Sequence, residues 1–339
     1  MFRRLAFMLT LGSSAIFNTA SADIDTRLKP GQYYQPTILD HVIRPSRSAI
    51  SIGPLNETKV IVKLVKSIDG RNEEQVLETP ELEINCKNKF ASSRLTNDYF
   101  KISYRSTYEI QGELECGRTN TWYFDVDSTE GQVMAIHDIA MKAVRKFNDS
   151  DLLSFWKRRV NLRWPSDGDY YSWNTVNITR GHFWDVVGHE LGHAIYDQAN
   201  IGVSAGGRHR IDECYNGALA LSEGWASFFS AWLSIDLKDS NASFEYMVKR
   251  RAPLNIESVP TDVCHGPTNE WRVTAFLWDI IDLSYDGESA QESFAKIWKM
   301  TLNENYRSIN QLAKDLTQKM DPILVKMLWE KNFLTQFDE

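Results

Sequence analysis

Ten residues, GHELGHAIYD from Gly188 to Asp197, constrain this chain of 339 residues more than any other stretch. On a helix, two histidines four positions apart lie one above the other on the same face. There the imidazoles of His189 and His193 can both reach one ion at ~2.0–2.1 Å, the length of a zinc–nitrogen bond. Glu190, one residue past the first histidine, points beside such an ion rather than at it. A carboxylate so placed can take a proton from metal-activated water. The flanking residues Phe183 to Gln198 carry the apolar period of a helix, which the pair requires.

A zinc ion that acts on a substrate takes three protein ligands and leaves a position open to solvent. Glu223 is the first candidate for the third ligand. It lies in LSEGWASFFSAW, inside the apolar helical pattern Ala218 to Ile235, where a carboxylate has little reason to be buried unless paired. His209, Asp212 and Glu213, in the polar stretch GGRHRIDE, are the alternatives. Asp197 and Ser227 are candidates to accept the N–H of a ligand imidazole. His265, beside Cys264, and Arg272 are candidates to stabilise charge developing on an attacked carbonyl.

These segments resemble the gluzincins, the zinc metallopeptidase class of thermolysin, the fungalysins and related aminopeptidases, in which H-E-x-x-H is completed by a downstream Glu. SEGWASFF is similar to the GEGWSDFF-like segment of fungalysins and the NEGFA segment of the aminopeptidases. NEWRVTAFLWDIID, Asn269 to Asp282, resembles the GEVWA...LWE stretch that follows in fungalysins. The resemblance covers residues 132 to 282. It implies a zincin-type catalytic domain with a short sheet and an active-site helix, one catalytic Zn2+ held by His189, His193 and Glu223, Glu190 as base, and a protein or peptide substrate. The chain departs from the pattern at Ser227, where thermolysin-like enzymes often place an Asp, and at His265, which precedes Glu270 by five residues rather than four. Two other functions fit the same residues: a zinc-containing binding or adhesion protein without activity, and a non-peptidase zinc hydrolase acting on an amide of a cell-wall or lipid substrate.

Around this centre the chain reads as α+β. Hydrophobic residues make up 42% and charged residues 24%, enough apolar side chain for a packed core. Net charge is −7 with Lys and Arg scattered, so no basic stripe invites nucleic acid. Residues 1–22 read as a cleaved export signal: Arg3 and Arg4 precede an apolar run from Leu5 to Phe17, and Ala20, Ser21 and Ala22 form a small-residue cleavage site, with cleavage after Ala22. That run is shorter than the ~20 residues needed to span a bilayer. The expected product is secreted or periplasmic, without stable membrane insertion. Export turns Cys86, Cys116, Cys214 and Cys264 into disulfide candidates. Of three connectivities, Cys86 with Cys116 and Cys214 with Cys264 close each bridge within one domain.

Two domains follow the signal. Residues 23–130 read as a small sandwich-like β domain, rich in β-branched and aromatic residues from Lys59 to Asp125 and bounded by the polar run DSTEG. It would bind a substrate or surface, inhibit, or serve as scaffold. Residues 131–339 read as the catalytic domain. A helix is expected over Gln132 to Phe147, then strands RVNLRW (Arg159 to Trp164) and Tyr170 to Thr179. Near Trp173 and Asn174 the second strand would take the substrate backbone as an added strand. Further helices are expected over Trp271 to Leu283, Ala290 to Met300 and Ile309 to Met320, the last with a Ser308–Gln311 capping box.

Overall fold

The computed structural model describes residues 58–68, 70–284 and 291–337, so the expected export signal lies outside the described residues. The chain is mixed α and β, with small sheets followed by helices. Strand β1 (Lys59–Ile68) turns at Gly70 into antiparallel β2 (Arg71–Leu77) and pairs in parallel with β7 (Thr119–Asp125), giving the order β2-β1-β7. A second antiparallel sheet has the order β3-β4-β6, from Glu83–Asn85, Phe90–Arg94 and Glu109–Glu113. The Cys86–Cys116 disulfide, with Cα atoms 5.7 Å apart, ties the end of β3 to the connection between β6 and β7.

Strand β5 (Phe100–Ser103) crosses the expected boundary. In sequence it belongs to the N-terminal β region, but it pairs in parallel with β8 (Val160–Arg163). The sheet beside the H-E-x-x-H helix therefore runs β5-β8-β10-β9, with β9 at Tyr170–Ser172 and β10 at Thr175–Asn177. Phe100 and Ile102, on one face of this strand, bury their side chains completely. One continuous core unites residues before and after position 130.

The expected strand over Tyr170 to Thr179 is instead a tight hairpin. Trp173 and Asn174 have φ of 48° and 61°, and Ser172 faces Thr175 in the antiparallel register. Two successive residues of positive φ match the twist of a two-residue hairpin, a geometry that Asn tolerates and that bulky Trp adopts rarely. Trp173 is thus a turn residue, 82% exposed, and the edge strand is β9.

DSTEG proves to be a helix start rather than a linker. Ser128 Oγ accepts the Gly131 N–H and caps α1 (Thr129–Asp149), which is buried along most of its first four turns. Helices α2 (Trp184–Gln198), α3 (Gly217–Ser234) and α4 (Glu270–Ile281) then stack on one another. Their approach is close because small residues face each other. A Cβ on Gly192 would fall 2.9 Å from the Ala226 backbone, and one on Gly224 would fall 2.5 Å from Val273 Cβ. Helices α5 (Phe294–Thr301), α6 (Ile309–Lys319) and α7 (Pro322–Phe333) complete the fold. The capping box at α6 does not form as expected. Gln311 accepts the Arg307 N–H, and Ser308 makes no cap bond, its Cβ lying against Gly217 of α3. Among the described residues no helix is long and apolar enough to cross a membrane.

Candidate metal centre

Helix α2 carries His189, Glu190 and His193, and α3 lies across it carrying Glu223 and Ser227. Asp185, fully buried at the start of α2, fixes the surroundings. Its carboxylate accepts the N–H groups of Tyr246 and Met247, while its backbone carbonyl accepts Ser230 Oγ of α3. The first turn of α2, the middle of α3 and the 246–247 segment are thereby locked together.

Three ligating atoms converge. His189 Nε2 and His193 Nε2 each lie 3.1 Å from Glu223 Oε2 and 3.1 Å from each other, and none of the three residues is more than 4% exposed. His189 Nδ1–H donates to Ser227 Oγ at 3.0 Å, which leaves Nε2 with its lone pair toward the other two atoms. Ser227 Oγ donates onward to Met247 Sδ. Burial holds the His189 imidazole at about 4, neutral at ordinary pH. Burial pushes Glu223 up, but the imidazoles of His193, His189 and His209 outweigh it and hold the carboxyl well below its usual range. Lone pairs packed this closely repel unless a cation lies among them. Zinc bonds of ~2.0–2.1 Å put neighbouring ligand atoms of a tetrahedron about 3.3–3.4 Å apart, so the observed spacing and the N, N, O donor set fit such an ion.

Glu190 is fully buried beside this triangle, and neither of its oxygens has a hydrogen-bond partner. Burial, then the charges of Asp169 and Glu223, push its carboxyl well above the ordinary value, while the nearby Tyr171 backbone N–H of β9 draws it slightly down. An unpartnered buried carboxyl is costly, so its presence calls for a role.

A second group adjoins the first. His209 Nε2 lies 3.7 Å from Glu223 Oε2 and 3.4 Å from Glu270 Oε2, with all three residues buried. Burial raises the Glu270 carboxyl to about 8, with His209 opposing the rise. A small cavity between the two groups is lined by His189, His209, Ser227, Met247 and Glu270. Glu270 was not singled out in the sequence. The signal available was the one that marks Glu223, an acid set inside an apolar helical run.

The remaining candidates are occupied elsewhere. His265 is exposed and donates Nε2–H to the Thr261 carbonyl, outside both groups. Arg272 is buried but spends its guanidinium on the carbonyls of Cys264, Asn332, Pro260 and Val263, so it braces loops rather than facing a substrate. Asp197 accepts from Arg158 and Tyr171, leaving Ser227 as the partner of His189. Asp212 pairs with Arg250 and Arg251, and Glu213 with Arg210. The Cys214–Cys264 disulfide, Cα atoms 5.6 Å apart, joins the segments leading into α3 and α4. No protein-family model matches the chain, and no curated protein matches it.

Proposed function

We propose that this chain is an exported zinc metallopeptidase that hydrolyses peptide bonds, with His189, His193 and Glu223 as metal ligands and Glu190 as general base. The observation that carries the reading is the convergence of three ligating atoms at 3.1 Å beside a buried carboxyl with no side-chain hydrogen-bond partner. A zinc ion held there supplies Lewis-acid polarisation of a carbonyl and lowers the pKa of water toward ~7. Glu190 takes the proton from the attacking water on one of its free oxygens and delivers it to the leaving amine. Its complete burial keeps bulk solvent from intercepting that proton. Ser227 holds His189 in the tautomer that leaves Nε2 available to the metal. Edge strand β9, whose Tyr171 N–H lies near Glu190, is the element on which an extended peptide backbone would pair.

The gluzincin-like motifs support a peptide as substrate, and two disulfides agree with an oxidising compartment. A purely structural zinc in a binding protein leaves Glu190 without a purpose. The test is Glu190→Gln. Metal content should stay at the level of the unsubstituted chain while casein cleavage drops about 10²- to 10⁴-fold. Undiminished cleavage would remove Glu190 from its role, and cleavage indifferent to chelator would remove the metal.

A further inference from the structure

We propose that His209, Glu270 and Glu223 form a second divalent-cation site, with the Glu223 carboxylate shared between it and the His189–His193 pair. The inference rests on the first site holding a metal, and it adds a neighbour to that metal.

His209 donates Nδ1–H to the Gly207 carbonyl at 2.9 Å. A carbonyl oxygen only accepts, so in neutral His209 the Nε2 lone pair faces Glu223 and Glu270. Nε2 and one oxygen from each acid lie within 4.8 Å of one another. Either a proton, on the imidazole or on a carboxyl oxygen, or a metal ion must sit among them. The spacing separates the two. Charge-assisted N–H···O bonds contract to ~2.7–2.9 Å. The separations here are 3.4 and 3.7 Å, too wide for an imidazolium clamped between carboxylates or for a carboxyl O–H given to the imidazole, and suited to ligands around an ion.

Glu223 supplies an independent observation. Its Oε2 serves the His189–His193 group, whereas its Oε1 is buried without a hydrogen-bond partner. The same Oε2 also lies 3.7 Å from His209 Nε2, so the one carboxylate belongs to both ligand groups, and an acid shared in this way is the usual bridge of two-metal hydrolases, whose ions lie ~3.5–4 Å apart. One imidazole with carboxylate oxygens suits zinc, manganese or cobalt.

The experiment is a Co2+ titration of the metal-depleted mature chain, read by equivalents bound and by electron paramagnetic resonance. Two equivalents are expected, with the cobalt signal of the first attenuated as a second spin binds beside it. Glu270→Gln and, separately, His209→Ala should each bind one equivalent and keep an unattenuated signal. A single equivalent in the unsubstituted chain, or two in both variants, overturns the proposal. If that single equivalent vanishes in His193→Ala, the first site stands and only the second falls. No binding at all sinks both. Should either variant misfold, the stoichiometry and signal of the unsubstituted chain decide alone.

Discussion

Ser227 stands one turn beyond Glu223 on α3, and the turn that aims the acid at the two histidines aims the hydroxyl at His189 Nδ1. A partner on the far side of a ligand imidazole fixes ring and tautomer, and losing one typically costs 10- to 100-fold in metal affinity. Ser227→Ala should therefore weaken zinc binding by that range in a competition titration with a chromogenic chelator, with helix content preserved. Unchanged affinity would mean that helix packing alone orients His189. At this scale the sequence was most readable where helical period did the positioning. His189, Glu190, His193 and Glu223 follow from spacing and from the cost of burying an acid without a partner. The places of His209 and His265 are not legible in the sequence, because both sit in loops. Gly207, at φ 141°, helps route the loop that buries His209, while His265 turns outward to Thr261, and neither path has a period to betray it.

Helices were readable to within a few residues because their apolar stripes face one core, but how closely they pack was not. Gly192 shows why closeness matters. As a helical glycine it costs ~1 kcal/mol relative to alanine, so propensity alone makes Gly192→Ala stabilising. The added Cβ would meet the Cα and carbonyl oxygen of Ala226 at 2.9 Å, and backbone atoms cannot rotate away. Overpacking of this kind costs ~1–3 kcal/mol, which outweighs the propensity gain. Because α2 and α3 carry all three proposed ligands of the first site, separating them also spreads the triangle. Gly192→Ala should lower both the midpoint of thermal unfolding and zinc affinity. A variant that melts higher with its metal intact would show that the helices have room to spare. The β9–β10 hairpin and α7 escaped the sequence reading for local reasons. Residues 170–179 keep strand-like composition through the turn, and α7 starts at the Asp321 cap and Pro322 on a weakly amphipathic run.

At the scale of the molecule, the seam between the N-terminal β region and the rest is where acid should act. The sequence suggested a boundary near residue 130, but pairing of β5 with β8 is a long-range choice invisible to local pattern. His137 of α1 lies in that seam, its ring 5.8 Å from Phe100 of β5. Burial lowers its pKa from 6.5 to about 4, with a bond to the Glu78 backbone only partly opposing the shift. Between those two values the unfolded chain binds a proton that the folded chain refuses, so stability is lost as pH falls from 6.5 toward 4. The full loss is on the order of 3 kcal/mol. Asp212 behaves differently. The Arg250 guanidinium, together with Arg251, holds its carboxyl far below the usual range, so its contribution is whole above the ordinary carboxylate value and is lost only as the pH falls below that value. Stability of the seam should therefore weaken first, while the Asp212 link near the disulfide at Cys214 persists. Urea unfolding of the wild-type chain and His137→Gln at pH 7, 5.5 and 4.5 would measure this. Metal release at low pH affects both chains alike, so their difference isolates His137. The gap should shift in favour of the variant by up to about 3 kcal/mol as pH falls, and a gap independent of pH would mean that His137 titrates inside the fold as it does in the unfolded chain.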